Sequence, residues 1–310
     1  MRWIVVLAVA SCVETAPEYR CASPQDCMLD GNVGRCEATG HCSLPDPTCG
    51  LMGFRYHASA GDQDGICVLP TTPIVELPPF DLKQAHDRVQ SSCAPSGARD
   101  VSFELTTTTL QTIAFDTGGP AIEGVALSVH GGPCPARMPE LACTPPPCGP
   151  VPYGSLALTV PPGTYCLVVE EANPSASTGK TGLRVFRGGR AALVLDRPTV
   201  PPQQMTCGGS PAPAPPSCGA PNADPSAAAV FMVCPGGFDV TATVTPNFDV
   251  AVSLRDKGPM GTELDCKAGS TAQTVHAFAM DPGPYWMSIG HGTTPPTCEQ
   301  FQIAFSITPH

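Results

Sequence analysis

The chain has 310 residues and a formal net charge of −11 at pH 7, from 27 acidic and 16 basic side chains. This balance disfavours nucleic acid and anionic membrane surfaces as partners. The chain holds 31 glycines and 38 prolines, yet 42% of its residues are hydrophobic, which is enough to build cores between proline-rich connections.

The first twelve residues predict export followed by lipid attachment. Arg2 supplies a positive charge, residues 4–10 form an apolar run too short to span a bilayer, and residues 9–11 are small. Val-Ala-Ser before Cys12 resembles the bacterial lipoprotein box, which implies a signal peptide over residues 1–11 and acylation of Cys12. Residues 12–20 then form a lipid-anchored spacer, and Val13, which is not Asp, favours the outer membrane. An ordinary secretory signal, with Cys12 in or near the removed segment, is the alternative.

The cysteine count agrees with this interpretation. The chain has 17 cysteines, and an odd number in an exported protein leaves one thiol with a special role. If Cys12 carries lipid, the others can form disulfides in an oxidising compartment. These candidates are Cys21, Cys27, Cys36, Cys42, Cys49, Cys67, Cys93, Cys134, Cys143, Cys148, Cys166, Cys207, Cys218, Cys234, Cys266 and Cys298.

Residues 21–68 are predicted to be a small disulfide-held module. Six cysteines lie among polar and turn residues with hardly any apolar periodicity, so disulfides must stabilise the segment. Residues 36–46 and 53–61 resemble a cysteine-rich module of myxobacterial surface proteins. No Cys-x-x-Cys pair occurs here, which disfavours zinc. Asp62-Gln-Asp64-Gly65 lacks the further carboxylates of a calcium loop and is interpreted as a solvated turn. Residues 69–89 follow as a proline-rich linker with a possible short helix over 82–89.

Two all-β domains are predicted after this linker. They are antiparallel, jelly-roll-like sandwiches over residues 90–207 and 218–310, joined by a proline-rich linker over 208–217. The predicted strands are 101–105, 111–116, 121–129, 155–160, 164–170, 182–187 and 191–195, then 230–234, 238–244, 248–254, 271–279, 285–290 and 299–307.

The two sandwiches show an internal duplication. Residues 125–129 with 140–143 match 250–254 with 263–266, and residues 162–169 match 282–289. The repeated Pro-Gly-x-Tyr turn before an apolar strand resembles the bacterial pre-peptidase C-terminal domain. That resemblance implies a jelly-roll-like sandwich with roles in secretion, in substrate or surface binding, or in calcium-assisted packing.

Cysteine parity supports the boundary after Cys207. It leaves six cysteines in the first sandwich and four in the second, so that each can close its own disulfides. Connectivity stays open because six cysteines allow fifteen pairings, and loop proximity favours Cys134 with Cys143. The loop over residues 143–148 departs from the resembled pattern, and an inter-domain disulfide is the alternative.

The search for chemistry finds no nucleophile elbow, zinc-protease, phosphate-loop or dinucleotide motif. Glu170 and Glu171 are neighbours in a strand and point to opposite faces, so they cannot flank one bond. Asp100, Asp116 and Glu170 could give oxygen ligands to calcium, as in some members of the resembled family, and are left unassigned. The seven histidines are scattered over the modules, which disfavours a catalytic triad. Tyr165, Tyr285 and Trp286 lie in predicted strands, where core packing is expected.

The sequence therefore predicts a non-enzymatic, lipid-anchored protein of the outer membrane or cell surface. It would need no cofactor beyond an unassigned calcium, and it would bind an extracellular protein or polysaccharide and no nucleic acid. One alternative is an accessory substrate-binding subunit, or a detached domain pair, of a secreted hydrolase. A second alternative is a disulfide-rich protease inhibitor in residues 21–67.

Overall fold

The structure is a computed structural model, and it describes most of the chain from residue 19 onward. The described ranges are 19–29, 31–50, 53–71, 74–117, 125–135, 139–144, 155–172, 180–188, 191–195, 199–206, 215–219, 227–233, 238–256, 261–280, 283–292 and 300–309. None of the helices in these ranges has the length and apolar character that a membrane crossing requires. The predicted signal peptide and Cys12 lie outside the described residues.

The N-terminal module is built from short strands and disulfides. Its cysteines pair as Cys21–Cys36, Cys27–Cys42 and Cys49–Cys67. Its 3-10 turns are Pro24–Cys27, Pro47–Cys49 and Ala58–Gln63. The strands are β1 Met28–Leu29, β2 Asn32–Val33, β3 Arg35–Cys36, β4 Cys42–Pro45, β5 Phe54–Tyr56 and β6 Cys67–Val68.

The predicted linker over residues 69–89 contains a strand. Strand β7, Ile74–Asp81, lies at the edge of a sheet and buries Val75 and Leu77 in the core. The two prolines after Leu77 fall where the register shifts, so the sheet loses no ladder hydrogen bond that it needs. The expected helix over 82–89 is a single 3-10 turn, Leu82–Gln84.

The first sandwich continues with seven more strands. They are β8 Asp100–Thr107, β9 Gln111–Asp116, β10 Val125–Gly131, β11 Glu140–Cys143, β12 Ser155–Val160, β13 Gly163–Glu171 and β14 Lys180–Arg187. Sheet B has the order β11-β10-β13-β8-β6-β5-β4-β3, so the N-terminal module extends it, and sheet C has the order β12-β9-β14-β7.

The second sandwich begins earlier than the predicted boundary. Its strands are β15 Ala191–Leu195, β16 Thr199–Thr206, β17 Ala227–Val233, β18 Phe238–Thr245, β19 Val250–Arg255, β20 Glu263–Gly269, β21 Gln273–Met280, β22 Gly283–His291 and β23 Gln300–Pro309. Sheet D has the order β15-β17-β22-β19-β20, and sheet E has the order β16-β23-β18-β21. A cut at Cys207 would therefore remove β15 and β16 from the sheets that contain them.

The duplication covers nine strands in each half and confirms the predicted internal repeat. Strands β6–β14 and β15–β23 have the same pairing pattern, including a parallel first strand beside β8 and beside β17. Within each repeat the other eight strands form the two four-stranded layers of a jelly roll. The prolines after Val200 repeat the register shift that the prolines after Leu77 cause in β7. The all-β sandwich fold class is confirmed.

The expected pairing of Cys134 with Cys143 is wrong. Cys143 pairs with Cys93, and Cys134 pairs with Cys166. Cys143 lies on the edge strand β11, and the segment that carries Cys93 crosses the outer side of sheet B to reach it. Cys134 follows strand β10, and Cys166 lies on β13, which pairs with β10. Cys218 pairs with Cys266 in the second sandwich. Cys148, Cys207, Cys234 and Cys298 lie outside the described residues.

The four large sheets are stacked in the order B, C, D, E. One apolar core fills the space between sheets B and C, and a second fills the space between sheets D and E. A smaller cluster joins the outer sides of sheets C and D, where Phe186 and Trp286 lie with ring centroids 5.8 Å apart. The outer side of sheet B carries a further cluster shared with the N-terminal module.

Candidate functional site

The N-terminal module covers the outer side of sheet B, which is therefore excluded as a binding surface. On the outer side of sheet B, Tyr56 donates a hydrogen bond to Glu104 Oε1 at 2.6 Å, and the Cys134 amide donates to Oε2 at 3.3 Å. Burial raises the pKa of both Tyr56 and Glu104. Gln63 donates to the Cys134 carbonyl at 3.0 Å. This network holds the N-terminal module on sheet B, and the Glu104 carboxylate is buried beneath the module.

The outer side of sheet E has no such cover among the described residues. Along β18, Val240, Ala242 and Val244 are buried in the core. The alternate residues Asp239, Thr241, Thr243 and Thr245 therefore point outward, since successive strand side chains point to opposite faces. Strand β23 alternates in the same way and directs Gln302, Ala304, Ser306 and Thr308 outward. The pattern Thr-x-Thr-x-Thr between apolar residues was the sequence signal for this face.

Neighbouring strands align these polar groups in rows. Thr241 lies opposite His276 on one side and Ser306 on the other, and Thr243 lies opposite Thr274 and Ala304. The Thr241 hydroxyl is 3.1 Å from His276 Nδ1, and the Thr243 and Thr274 hydroxyls are 3.1 Å apart. We call this the sheet E face; it comprises the outward residues of β16, β18, β21 and β23.

One large hydrophobic residue stands on the sheet E face. The side chain of Phe278 on the edge strand β21 is 75% exposed. Its ring is nearly parallel to that of His276, with centroids 6.2 Å apart. The Asp265 carboxylate accepts a hydrogen bond from the His276 amide at 2.9 Å, which fixes this part of β21 against sheet D. The rings of His276 and Phe278 therefore project from a strand that is fixed to sheet D.

The sheet E face is almost free of charge. Among its described side chains the one carboxylate is Asp239, and none is a lysine or an arginine. Hydroxyl and amide groups supply nearly all of its hydrogen-bonding capacity. Such a face can bind a neutral ligand with many hydroxyl groups through hydrogen bonds and one aromatic contact.

The predicted calcium ligands do not come together. Asp100 and Glu170 lie opposite each other on β8 and β13, but Asp116 lies on sheet C and forms an ion pair with Arg184. Asp100 Oδ2 accepts hydrogen bonds from the amides of Arg88 at 2.5 Å and Val89 at 3.0 Å. This carboxylate therefore holds the covering segment through backbone amides.

Glu170 is the most constrained acidic group of this region. Its side chain is fully buried, Oε1 accepts a hydrogen bond from the Ser91 amide at 3.3 Å, and Oε2 has no hydrogen-bond partner among the described residues. Burial, with the nearby charges of Asp100 and Glu140, raises its pKa to about 6. Glu170 and Glu171 are consecutive residues in a regularly paired part of strand β13. Their carboxylates therefore point to opposite faces of the sheet.

Clustered metal-ligating atoms occur once in the described part of the chain, at Cys21, Cys27 and Cys42. All three sulfurs are in disulfides. The histidines lie apart: His41 contacts Gln63 in the module, whereas His130 contacts Ser128 on β10 at 3.1 Å. His310 lies outside the described residues. Tyr165, Tyr285 and Trp286 are buried.

Comparisons with known proteins identify similar architectures at low similarity. No family model matches the chain, and no curated protein matches it. A structure of the M60 catalytic domain with two CBM51 domains from Clostridium perfringens ZmpB is 8% identical, with a TM-score of 0.20, and covers 76% of this chain and 34% of that one. The CUB1-EGF-CUB2 domain of human MASP-1/3 is 9% identical, with a TM-score of 0.22, and covers 76% and 100%.

The tandem CBM22 domains of Paenibacillus barcinonensis Xyn10C are 8% identical to this chain, with a TM-score of 0.19 and coverage of 76% and 98%. This chain thus spans about a third of the length of the ZmpB structure and nearly all of the other two. Similarity at this level does not indicate what the chain binds.

Proposed function

We propose that the chain is an exported, non-enzymatic binding protein that is lipid-anchored at Cys12 and binds a neutral extracellular polysaccharide through the sheet E face. The observation that carries the proposal is the exposed array of hydroxyl and amide groups beside Phe278, in which Asp239 is the one carboxylate among the described side chains. The sandwiches would be of the pre-peptidase C-terminal type, as their repeated Pro-Gly-x-Tyr turns suggest.

The charge distribution supports a neutral ligand. The chain carries a net charge of −11, which repels acidic ligands at a distance. The described side chains of the sheet E face include no lysine or arginine that would pair with a carboxylate, sulfate or phosphate group. A neutral ligand is not repelled by the net charge and needs no basic side chain as a partner.

The geometry of the face supports an extended polymer. Rows of mostly polar side chains, with hydroxyl groups on β18 in both, cross β21, β18 and β23, and adjacent strands lie about 4.8 Å apart, so hydrogen-bonding groups recur at short intervals across the face. A sugar unit has hydroxyl groups around its rim and C–H groups on its ring faces. Phe278 supports the proposal because its exposed ring can pack on such a C–H face.

The disulfides support the proposed location. Six of them occur among the described residues, which indicates folding in an oxidising compartment. Together with the lipoprotein-like sequence before Cys12, this favours the outer membrane or cell surface. Two or three acyl chains would hold the protein there stably.

Affinity electrophoresis and pull-down on neutral polysaccharides test the proposed ligand. We would use cellulose, chitin and starch, with the parent chain and Phe278→Ser. Phe278 is exposed, so its replacement should leave the fold intact, and we expect retention on the bound polymer to fall about tenfold.

Leu264→Ser is the matched control. Leu264 is also an exposed apolar residue on an edge strand, but it lies on β20 of sheet D. Leu264→Ser should therefore leave retention on the polysaccharide unchanged. Equal retention of all three chains would remove the sheet E face from the proposal, and capture of an extracellular protein with no polysaccharide retention would replace the ligand class.

A further inference from the structure

The β1–β2 hairpin presents two apolar side chains to solvent. Met28 and Val33 are direct cross-strand partners, and their exposed fractions are 68% and 67%. They are two of the most exposed large hydrophobic residues among those described, and they lie side by side. Exposed apolar residues that occur as an adjacent pair indicate a contact surface more strongly than single scattered ones.

Covalent bonds hold this hairpin in place. Cys27, immediately before Met28, is bonded to Cys42 on β4, and Cys36, three residues after Val33, is bonded to Cys21. The Gly34 amide also donates a hydrogen bond to the Cys27 carbonyl at 2.8 Å. The hairpin is thus held in a conformation in which Met28 and Val33 face solvent and take no part in the apolar cluster that the module shares with sheet B.

The hairpin lies beside the point where the described chain begins. The Tyr19 hydroxyl donates a hydrogen bond to the carbonyl of Asp26 at 3.2 Å, two residues before Met28. Six residues lie between Cys12 and Tyr19, and the seven steps from Cys12 to Tyr19 span at most about 25 Å when the chain is fully extended. A lipid anchor at Cys12 would therefore keep Tyr19 and the hairpin close to the bilayer surface.

We propose that Met28 and Val33 insert into the interfacial region of the bilayer that holds the anchor, with Tyr19 at the level of the lipid headgroups. The inference rests on the proposed acylation of Cys12. Methionine and valine gain free energy when they leave water for the acyl boundary, and tyrosine is enriched where that boundary meets water. The contact would give the anchored protein a defined orientation at the bilayer.

That orientation suits the proposed binding function. The N-terminal module extends and covers sheet B, at one end of the stack B, C, D, E, and the sheet E face lies at the other end. Sheets C and D separate the sheet on which the module lies from the sheet E face, so a hairpin seated on the bilayer does not occupy that face.

Site-specific fluorescence in vesicles tests the contact. The chain has two tryptophans, Trp3 in the predicted signal peptide and the buried Trp286, so the mature protein has a low background at exposed sites. We would purify the full lipidated protein with Met28→Trp, and a second variant with Val33→Trp, and insert each into vesicles of brominated phosphatidylcholine. Phe278→Trp, at an exposed position on the sheet E face, is the matched control.

We expect the emission of Met28→Trp and Val33→Trp to shift to shorter wavelength and to be quenched by the brominated lipid. The emission of Phe278→Trp should be unchanged. Because the contact is apolar, quenching should persist at about 1 M salt, where surface electrostatics are screened. Peptide mass mapping of the same samples reports whether Cys12 is acylated and whether the disulfides are intact.

The outcomes separate the two proposals. Quenching at positions 28 and 33 but not at 278 supports the hairpin contact. An acylated protein that floats with vesicles while positions 28 and 33 stay unquenched overturns the contact and leaves the anchored binding protein standing. A chain that lacks acylation at Cys12 overturns the anchor and the contact with it.

Discussion

The outer faces of sheets C and E are the same element of two copies of one fold, yet they differ in chemistry. In the first repeat, Ala114 and Phe186 face outward from sheet C and are buried against Val230 and Trp286 of sheet D. In the second repeat the corresponding face carries Thr241, Thr243 and other polar residues and is open among the described residues. The two copies of this face thus differ in burial, because the first is covered by sheet D and the second is open among the described residues.

Features shared by the repeats serve the fold. Ser92 donates hydrogen bonds to Glu140 through its amide and hydroxyl, at 2.7 Å and 2.5 Å, beside the disulfide Cys93–Cys143. Ser217 contacts Glu263 in the same way beside Cys218–Cys266. Because both copies keep this clamp, it explains how the edge strand is held and cannot explain what one copy binds. The differences between the copies are where function should be sought.

The largest expected effect comes from breaking the apolar contact between sheets C and D. Trp286→Ala removes a fully buried ring and leaves a cavity beside Phe186, which should lower the free energy of unfolding by about 3–5 kcal/mol. Denaturant unfolding followed by far-ultraviolet circular dichroism measures this loss. We also expect the single transition to separate into two as the sandwiches become independent.

Phe278→Ala is the control for that comparison, because it removes an aromatic ring from the exposed sheet E face. Its effect on unfolding should be within about 0.5 kcal/mol. If both substitutions cost the same, the two faces do not differ in burial and the contrast between the repeats fails.

A smaller effect should follow from weakening the cover of sheet B. Tyr56→Phe removes the hydroxyl that donates to the buried Glu104 carboxylate and leaves that oxygen without its shortest hydrogen bond. The expected loss in the free energy of unfolding is about 1.5–3 kcal/mol, measured by denaturant titration. Tyr19→Phe removes a hydroxyl from a half-exposed residue and should have little effect. A loss confined to Tyr19→Phe would contradict the proposed role of the network.

The sequence allowed much of this fold to be predicted, because alternation of apolar and polar residues is a local property of a strand. Strands such as β9, β12 and β15 have the predicted bounds, and two pairs of matching segments, one of them the repeated Pro-Gly-x-Tyr turn, revealed the duplication. The strands β7 and β16 were not predicted, since two adjacent prolines in each argue against a strand, and the segment of β7 was interpreted as part of a linker. Edge position and a register shift make those prolines tolerable, and both are properties of the assembled sheet.

The candidate site was harder to predict for a similar reason. Thr241, Thr243 and Thr245 are visible in the sequence as outward residues of a strand, but nothing local distinguishes them from the outward residues of β9. Only the stacking of sheets C and D shows that one outer face is covered and the other is open. The prediction that Cys134 pairs with Cys143 was wrong for the same reason. Cys93, 50 residues before Cys143, reaches it by a path across several strands of sheet B, which only the assembled sheet shows.

The smallest expected effect concerns Glu170, which the second repeat replaces by Gly290. The pKa of Glu170 is raised by burial from 4.5 to about 6, so the folded state binds the proton more tightly than the unfolded chain does. The resulting stabilisation is complete below about pH 4.5 and is lost as the pH rises through about 6. We expect the parent to lose about 1 kcal/mol of unfolding free energy over this interval relative to Glu170→Gln, which cannot ionise there. Denaturant titrations at several pH values measure the difference between the two chains, and parallel curves would show that the Glu170 carboxyl is not desolvated. Because Gly290 has no ionisable group, a difference that appears as predicted would assign this pH dependence to the first repeat alone.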